Sequence, residues 1–260
     1  MRQPFLTRYL TAAFAALLGL LTLNVADAQL FVGKKEIERQ SRVEWLTMKK
    51  SLPIIPNQRV QNYVTCVAWT IIDVLDPEYQ NLDWEVVVFD DDTANASVMP
   101  GGKISVFSGI LEVADTPEAL AAVLGHEAAH LTQNHVMERA KANSRTNALV
   151  LLGNAATGLG GMIQAGTQIG LMLPYARDQE SEADLVGMQY MAKAGYDPRA
   201  TLYLWKRMQD REGGPRRGSD WLSTHPAPDT RMTDMARNLA PALVEYNQAR
   251  EDGARPSCTL

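Results

Sequence analysis

One pentapeptide constrains this chain more than any other: His126-Glu127-Ala128-Ala129-His130. On an α-helix, residues four apart lie one turn apart on one face. Both imidazoles therefore reach a single metal ion only if this segment is helical. The pattern His-Glu-x-x-His joins two metal ligands to a carboxylate able to serve as base toward a water. A tetrahedral catalytic zinc takes three protein ligands and keeps a fourth position open, so a third ligand has to come from another element. The flanking residues meet the helical requirement. Thr116 is suited to the N-cap, Pro117 to the first helical position and Glu118 to the positive end of the helix dipole. An apolar run at residues 119–124 follows, and the helix is expected to continue to about Ala142.

The surrounding pattern is mainly helical. Residues 34–51 are charged with an uneven apolar face, and residues 57–75 carry Val60, Val64, Val67, Ala68, Ile71 and Leu75 at helical spacing before Asp76-Pro77 stops them. The period then changes. Residues 84–89, 95–98 and 104–107 read as short strands around the turn Met99-Pro100-Gly101-Gly102. Gly109-Ile110-Leu111 reads as the start of a short helix. Residues 148–173, rich in Leu, Ala and Gly, read as a close-packed helical hairpin; a membrane span is the alternative, although Asn154, Gln164 and Gln168 interrupt it. Residues 177–194 form a helix ended by Gly195, Asp197-Pro198 opens another, residues 211–219 are a loop, and a last helix covers residues 228–248. The expected fold is α+β: a mainly helical, gluzincin-like zincin with a small sheet of about three strands beside the His-Glu-x-x-His helix.

The third ligand is sought on the helix at residues 177–194. Glu180 and Asp184 are four apart and share a face, which fits a ligand followed by a carboxylate that accepts a hydrogen bond from a metal-bound histidine. Spacing alone leaves a plain charged surface equally open. A metzincin reading fails, because Gln133 and Val136 stand where that pattern needs Gly and His. His135 comes one residue early. On an unbroken helix it lies about 500° past His130, roughly 140° from the metal face, as a packing residue or one behind the ligands.

These motifs together carry a resemblance. His126-Glu127-x-x-His130, then Glu180-x-x-x-Asp184, the block Asn95-Ala-Ser-Val-Met-Pro-Gly-Gly-Lys-Ile-Ser-Val-Phe-Ser-Gly-Ile-Leu111, and Thr224-His225-Pro226 followed by Arg231 resemble the Ste24/Oma1/HtpX-type zinc metallopeptidases, and most of all their small exported bacterial members. The resemblance spans roughly residues 60–245. It implies one zinc ion per chain held by His126, His130 and Glu180, with Glu127 as general base toward a metal-activated water and Asp184 behind the ligands. A substrate chain is expected to add to the strand edge at Asn95, Ala96, Ser97 and Val98. His225 is expected near the metal, either helping to bind the oxyanion or closing the open position; Arg231 is the other candidate for the oxyanion charge.

Context completes the expectation. Arg2 and Arg8, an apolar run at residues 10–23 and Ala26-Asp27-Ala28 read as a signal peptide covering residues 1–28, leaving a single domain at 29–260. No Cys near the cleavage point offers a lipid-attachment site. Cys66 and Cys258, the only two cysteines, are candidates for one disulfide in an oxidising compartment. A net charge of −5 argues against a nucleic-acid partner. The function expected is a periplasmic zinc endopeptidase cleaving misfolded or unassembled envelope proteins, with peripheral contact to the membrane or the outer-membrane assembly machinery. The alternatives are a non-catalytic, zinc-stabilised client binder and an intramembrane protease.

Overall fold

The computed structural model describes residues 33–143, 175–212, 221, 224–225 and 230–260. The chain divides into two compact units. One takes in residues 1–37 and 140–172, and its described parts, apart from Gly33, are helical. The other takes in residues 38–139 and 173–260 and holds the sheet and the candidate site. The expected leader, the hairpin at 148–173 and most of the loop at 211–219 lie outside the described residues. Among the described residues, no helix is long and apolar enough to cross a membrane.

The helices α1 (Lys34–Ser51) and α2 (Gln58–Ile72) come first. Asn57 caps α2, its side chain accepting from the Arg59 amide. A short α3 (Pro77–Gln80) follows. The strands are β1 (Glu85–Phe89), β2 (Ala96–Met99) and β3 (Lys103–Phe107), in the order β1-β3-β2. β1 runs parallel to β3 and β2 antiparallel to it. The outer side of β1 is engaged by the chain at Pro53–Ile55, through Ile55 N–H to Val88 O and Asp90 N–H to Pro53 O. β2 forms the opposite edge of the sheet. A 3₁₀ turn (Ser108–Glu112) leads into α4 (Pro117–Thr132).

α4 starts as its sequence requires: Thr116 accepts from the Ala119 amide at 3.1 Å, with Pro117 in the first turn. Residues 119–130 of α4 are all buried, and the helix packs against β2, α2, α6 (Arg177–Lys193) and α7 (Ala200–Glu212). This burial explains its nearly continuous apolar run: a helix enclosed on all sides has no face to leave polar. α4 does not reach Ala142. It ends at Thr132, and Asn134 adopts φ +67° before helix α5 resumes at residues 135–143. Asn tolerates this left-handed conformation better than other residues with a Cβ.

α6 ends as expected, with Gly195 at φ +84° after the cap. The expected last helix is two, α8 (Arg231–Arg237) and α9 (Leu239–Glu251), meeting at Asn238. Pro241 accounts for the restart, since it has no amide hydrogen and fits only the first turn of a helix. Cys66 on α2 and Cys258 in the tail form a disulfide, and Tyr196 Oη lies 3.6 Å from Cys258 Sγ.

Candidate metal centre

The site is built where α4 and α6 cross. Gly125 and Gly187 meet there with no side chain between them. A Cβ on Gly187 would stand 2.7 Å from the His126 nitrogen, and one on Gly125 would stand 2.7 Å from the Gly187 oxygen. The close approach brings the face of α6 that carries Glu180, Asp184 and Gly187, at spacings of four and three, onto the histidines of α4.

Side-chain atoms of His126, His130, Glu180 and His225 lie within 4.8 Å of one another, and all four residues are buried. His126 Nε2 and His130 Nε2 are 3.0 Å apart. Glu180 Oε2 is 3.6 Å from His126 Nε2, and Oε1 is 3.3 Å from His130 Nε2. His225 is held through Nδ1, 2.9 Å from Thr224 Oγ1 and 3.1 Å from the Trp221 carbonyl, which leaves Nε2 facing the cluster.

The donor set fits a divalent cation. Both Glu180 oxygens and His225 Nε2 are buried without a well-aligned hydrogen bond. Such atoms carry a large desolvation cost unless something meets them. Three imidazole nitrogens and a carboxylate converging on one point form a nitrogen/oxygen ligand set of the kind a zinc-like ion takes.

A second layer fixes these groups from behind. His126 Nδ1 is 3.1 Å from Asp184 Oδ1, an ion-pair distance with the ring somewhat off line. Arg231 grips Asp184 through Nε at 2.6 Å and Nη2 at 2.7 Å, and its Nη1 is 2.7 Å from Glu180 Oε2. The guanidinium also lies over the Trp205 ring at 3.9 Å and is 1% exposed. Arg231 is thus committed behind Glu180 and Asp184. Two buried carboxylates need a cation there.

Glu127 is also buried. Trp221 Nε1 donates to its Oε1 at 2.9 Å, and His225 Nε2 lies 3.4 Å from the same oxygen. Burial pushes the Glu127 carboxyl up to about 7, against the pull of Trp221 and Arg139. Burial likewise raises Glu180 to about 8, with Arg231 opposing it. Burial lowers His126, and it holds His130 and His225 well below the usual imidazole range. For Asp184 burial favours the neutral acid, but His126 and Arg231 outweigh it and keep the carboxyl low. Burial thus favours neutral imidazoles, the form that ligates a metal.

Of the strand-edge residues, Ala96, Ser97 and Val98 lie in β2, with Asn95 just before it. Three participants went unforeseen. Trp221 holds Glu127. Tyr175 stacks on His130, with centroids 3.8 Å apart and rings 14° from parallel. Glu182 is exposed to solvent and also reaches His135 Nε2 at 3.2 Å. A lone Trp four residues before His225 is a faint signal; Tyr175 and Glu182 have none.

The sequence matches the profile described as Peptidase family M48 over residues 56–238. Mitochondrial metalloendopeptidase OMA1 of Schizosaccharomyces pombe is 38% identical over 184 residues, covering 70% of this chain and 54% of that protein. OMA1 of Saccharomyces cerevisiae is 32% identical over 228 residues, covering 83% and 64%. The beta-barrel assembly-enhancing protease of Escherichia coli (strain K12) is 26% identical over 216 residues, covering 77% and 44%. The chain spans 44% to 64% of the length of these relatives.

Proposed function

The chain belongs to peptidase family M48, and from that premise we propose that it is a zinc-dependent endopeptidase of the bacterial envelope. His126, His130 and Glu180 hold one zinc ion. The observation that carries this reading is the convergence of four buried metal-ligating side chains, with Glu180 and His225 left unsatisfied, beside the buried carboxylate of Glu127.

Zinc held there supplies Lewis acidity, acidifying a water and polarising the scissile carbonyl. The chain's own residues do the rest. Glu127, kept in place by Trp221, takes the water's proton and returns it to the leaving amine. Its carboxyl, pushed up to about 7, is suited to both directions of transfer near neutral pH. Asp184 and Arg231 hold His126 and Glu180 in orientation. The β2 edge pairs with an extended substrate backbone, which asks little of its side chains. His225 Nε2, lying among the ligand atoms, closes the remaining position and keeps the enzyme latent.

The setting follows from the leader-like residues 1–28 and the Cys66–Cys258 disulfide, which suits an oxidising compartment. After removal of the leader, residues 29–260 act as the peptidase domain in the periplasm. The substrates are misfolded or unassembled envelope polypeptides. A relative named for β-barrel assembly supports peripheral contact with the outer-membrane assembly machinery.

Glu127→Gln tests this against a non-catalytic client binder, which has no use for a base. The variant is expected to retain one zinc per chain and lose cleavage of unfolded casein. Undiminished cleavage would refute the mechanism.

A further inference from the structure

His135 is the buried histidine that the proposed chemistry leaves unused. It is 3% exposed. On an unbroken helix its ring points away from the metal face. The left-handed turn at Asn134 brings it back. Its Nδ1 lies 3.1 Å from His130 Nδ1, and its Nε2 lies 3.2 Å from Glu182 Oε2. Glu182 is on α6, two residues beyond Glu180, so one helix supplies both a candidate ligand and the end of this chain of contacts.

We propose that His135 is a positioning residue for His130, relaying a carboxylate contact from Glu182 so that His130 turns its bare Nε2 to the metal. The proton count leaves one arrangement. In the contact with Glu182 the carboxylate oxygen accepts, so His135 carries its proton on Nε2 and donates it there. His135 Nδ1 is then a lone pair. A contact between two Nδ1 atoms holds a single proton, which must sit on His130. With Nδ1 protonated, His130 Nε2 is an acceptor, and that nitrogen is the one within the ligand cluster. Asp184 sets His126 the same way, by direct approach to its Nδ1. Both metal-facing imidazoles thus receive the same tautomer from carboxylates on α6, one directly and one through His135. Fixing tautomer and ring orientation from behind is what tunes a histidine's strength as a ligand.

The proposal rests on the reading of His130 as a ligand, and the test separates the two. In the full chain loaded with Zn²⁺ and labelled with ¹⁵N-histidine, long-range correlation spectra are expected to show His130 protonated on Nδ1 and His135 on Nε2 alone. A proton on His135 Nδ1, alone or as part of a doubly protonated ring, would overturn the relay, and this measurement needs no variant to fold. Competition with a chromophoric chelator provides the second arm. His135→Leu is expected to weaken Zn²⁺ binding about 10- to 100-fold. His135→Asn, whose Oδ1 can accept in place of Nδ1, should recover most of the loss. Wild-type affinity in His135→Leu overturns the proposal while leaving the ligand reading intact. Undiminished affinity in His130→Ala would overturn that reading and the relay with it.

Discussion

Gly125 and Gly187 touch backbone to backbone where α4 crosses α6, and the distances from Glu180 and Asp184 to the histidines depend on this approach. An added Cβ at Gly187 would meet the His126 nitrogen at 2.7 Å and the Gly125 carbonyl carbon at 2.8 Å. Neither neighbour is a side chain able to swing aside, so the helices must separate.

Gly187→Ala is therefore expected to cost about 1–3 kcal/mol of stability, as overpacking does. It should also draw Glu180 and Asp184 away from the histidines and weaken zinc binding. Urea unfolding with a chelator competition checks both. A stable variant with wild-type zinc affinity would show that the crossing has slack.

The raised carboxyl of Glu127 makes a prediction with a sign. Its folded value is about 7, against an ordinary 4.5. The folded state therefore binds the proton more tightly, and stability from this group is full below pH 4.5 and lost as pH rises through 7. The loss approaches roughly 3 kcal/mol. The amide introduced by Glu127→Gln does not ionise, so the metal-free variant should exceed metal-free wild type at pH 8 by up to that amount and match it more closely at pH 5. Unfolding curves at the two pH values test this. A pH-independent difference would be evidence against burial as the cause.

His225→Ala separates latency from catalytic help. If His225 holds the site closed, turnover of unfolded casein rises, roughly tenfold where about a tenth of wild-type molecules are open. A fall in turnover would instead favour the oxyanion role. No change in either direction would remove both.

The disulfide closes a sequence separation of 192 residues. Replacing both cysteines with Ala is expected to lower stability by roughly 2–5 kcal/mol, mainly through the unfolded chain. It joins α2 to the tail rather than any part of the metal cluster, so zinc stoichiometry should persist. Chemical denaturation with metal analysis checks the pair of outcomes, and loss of zinc on reduction alone would contradict them.

Much of this was legible from local patterns. Thr116-Pro117-Glu118 marks the start of α4, Gly195 marks the end of α6, and β-branched and aromatic runs beside a Pro-Gly-Gly turn mark the strands, because caps, turns and local composition act over a few residues. The break at Asn134 has only the weak mark of an Asn, with neither Gly nor Pro at Gln133-Asn134, and that single dihedral changes His135 from a residue facing away into the neighbour of His130. Pro241 is a local signal for the split near Asn238 that the longer helical pattern masks.

The pairing of His126 with His130, and the place of Glu127 between them, was written in five consecutive residues, since helical geometry alone sets those two imidazoles on one face. What Arg231, His135, Trp221 and Tyr175 do was decided by packing. Arg231 lies 47 residues from Asp184 in sequence, and Trp221 lies 94 from Glu127. No local propensity reports a pair so far apart; only the crossing of α4 and α6 at two glycines, with Trp221, His225 and Arg231 brought in against it, puts a buried cation behind the carboxylates and an indole on the base.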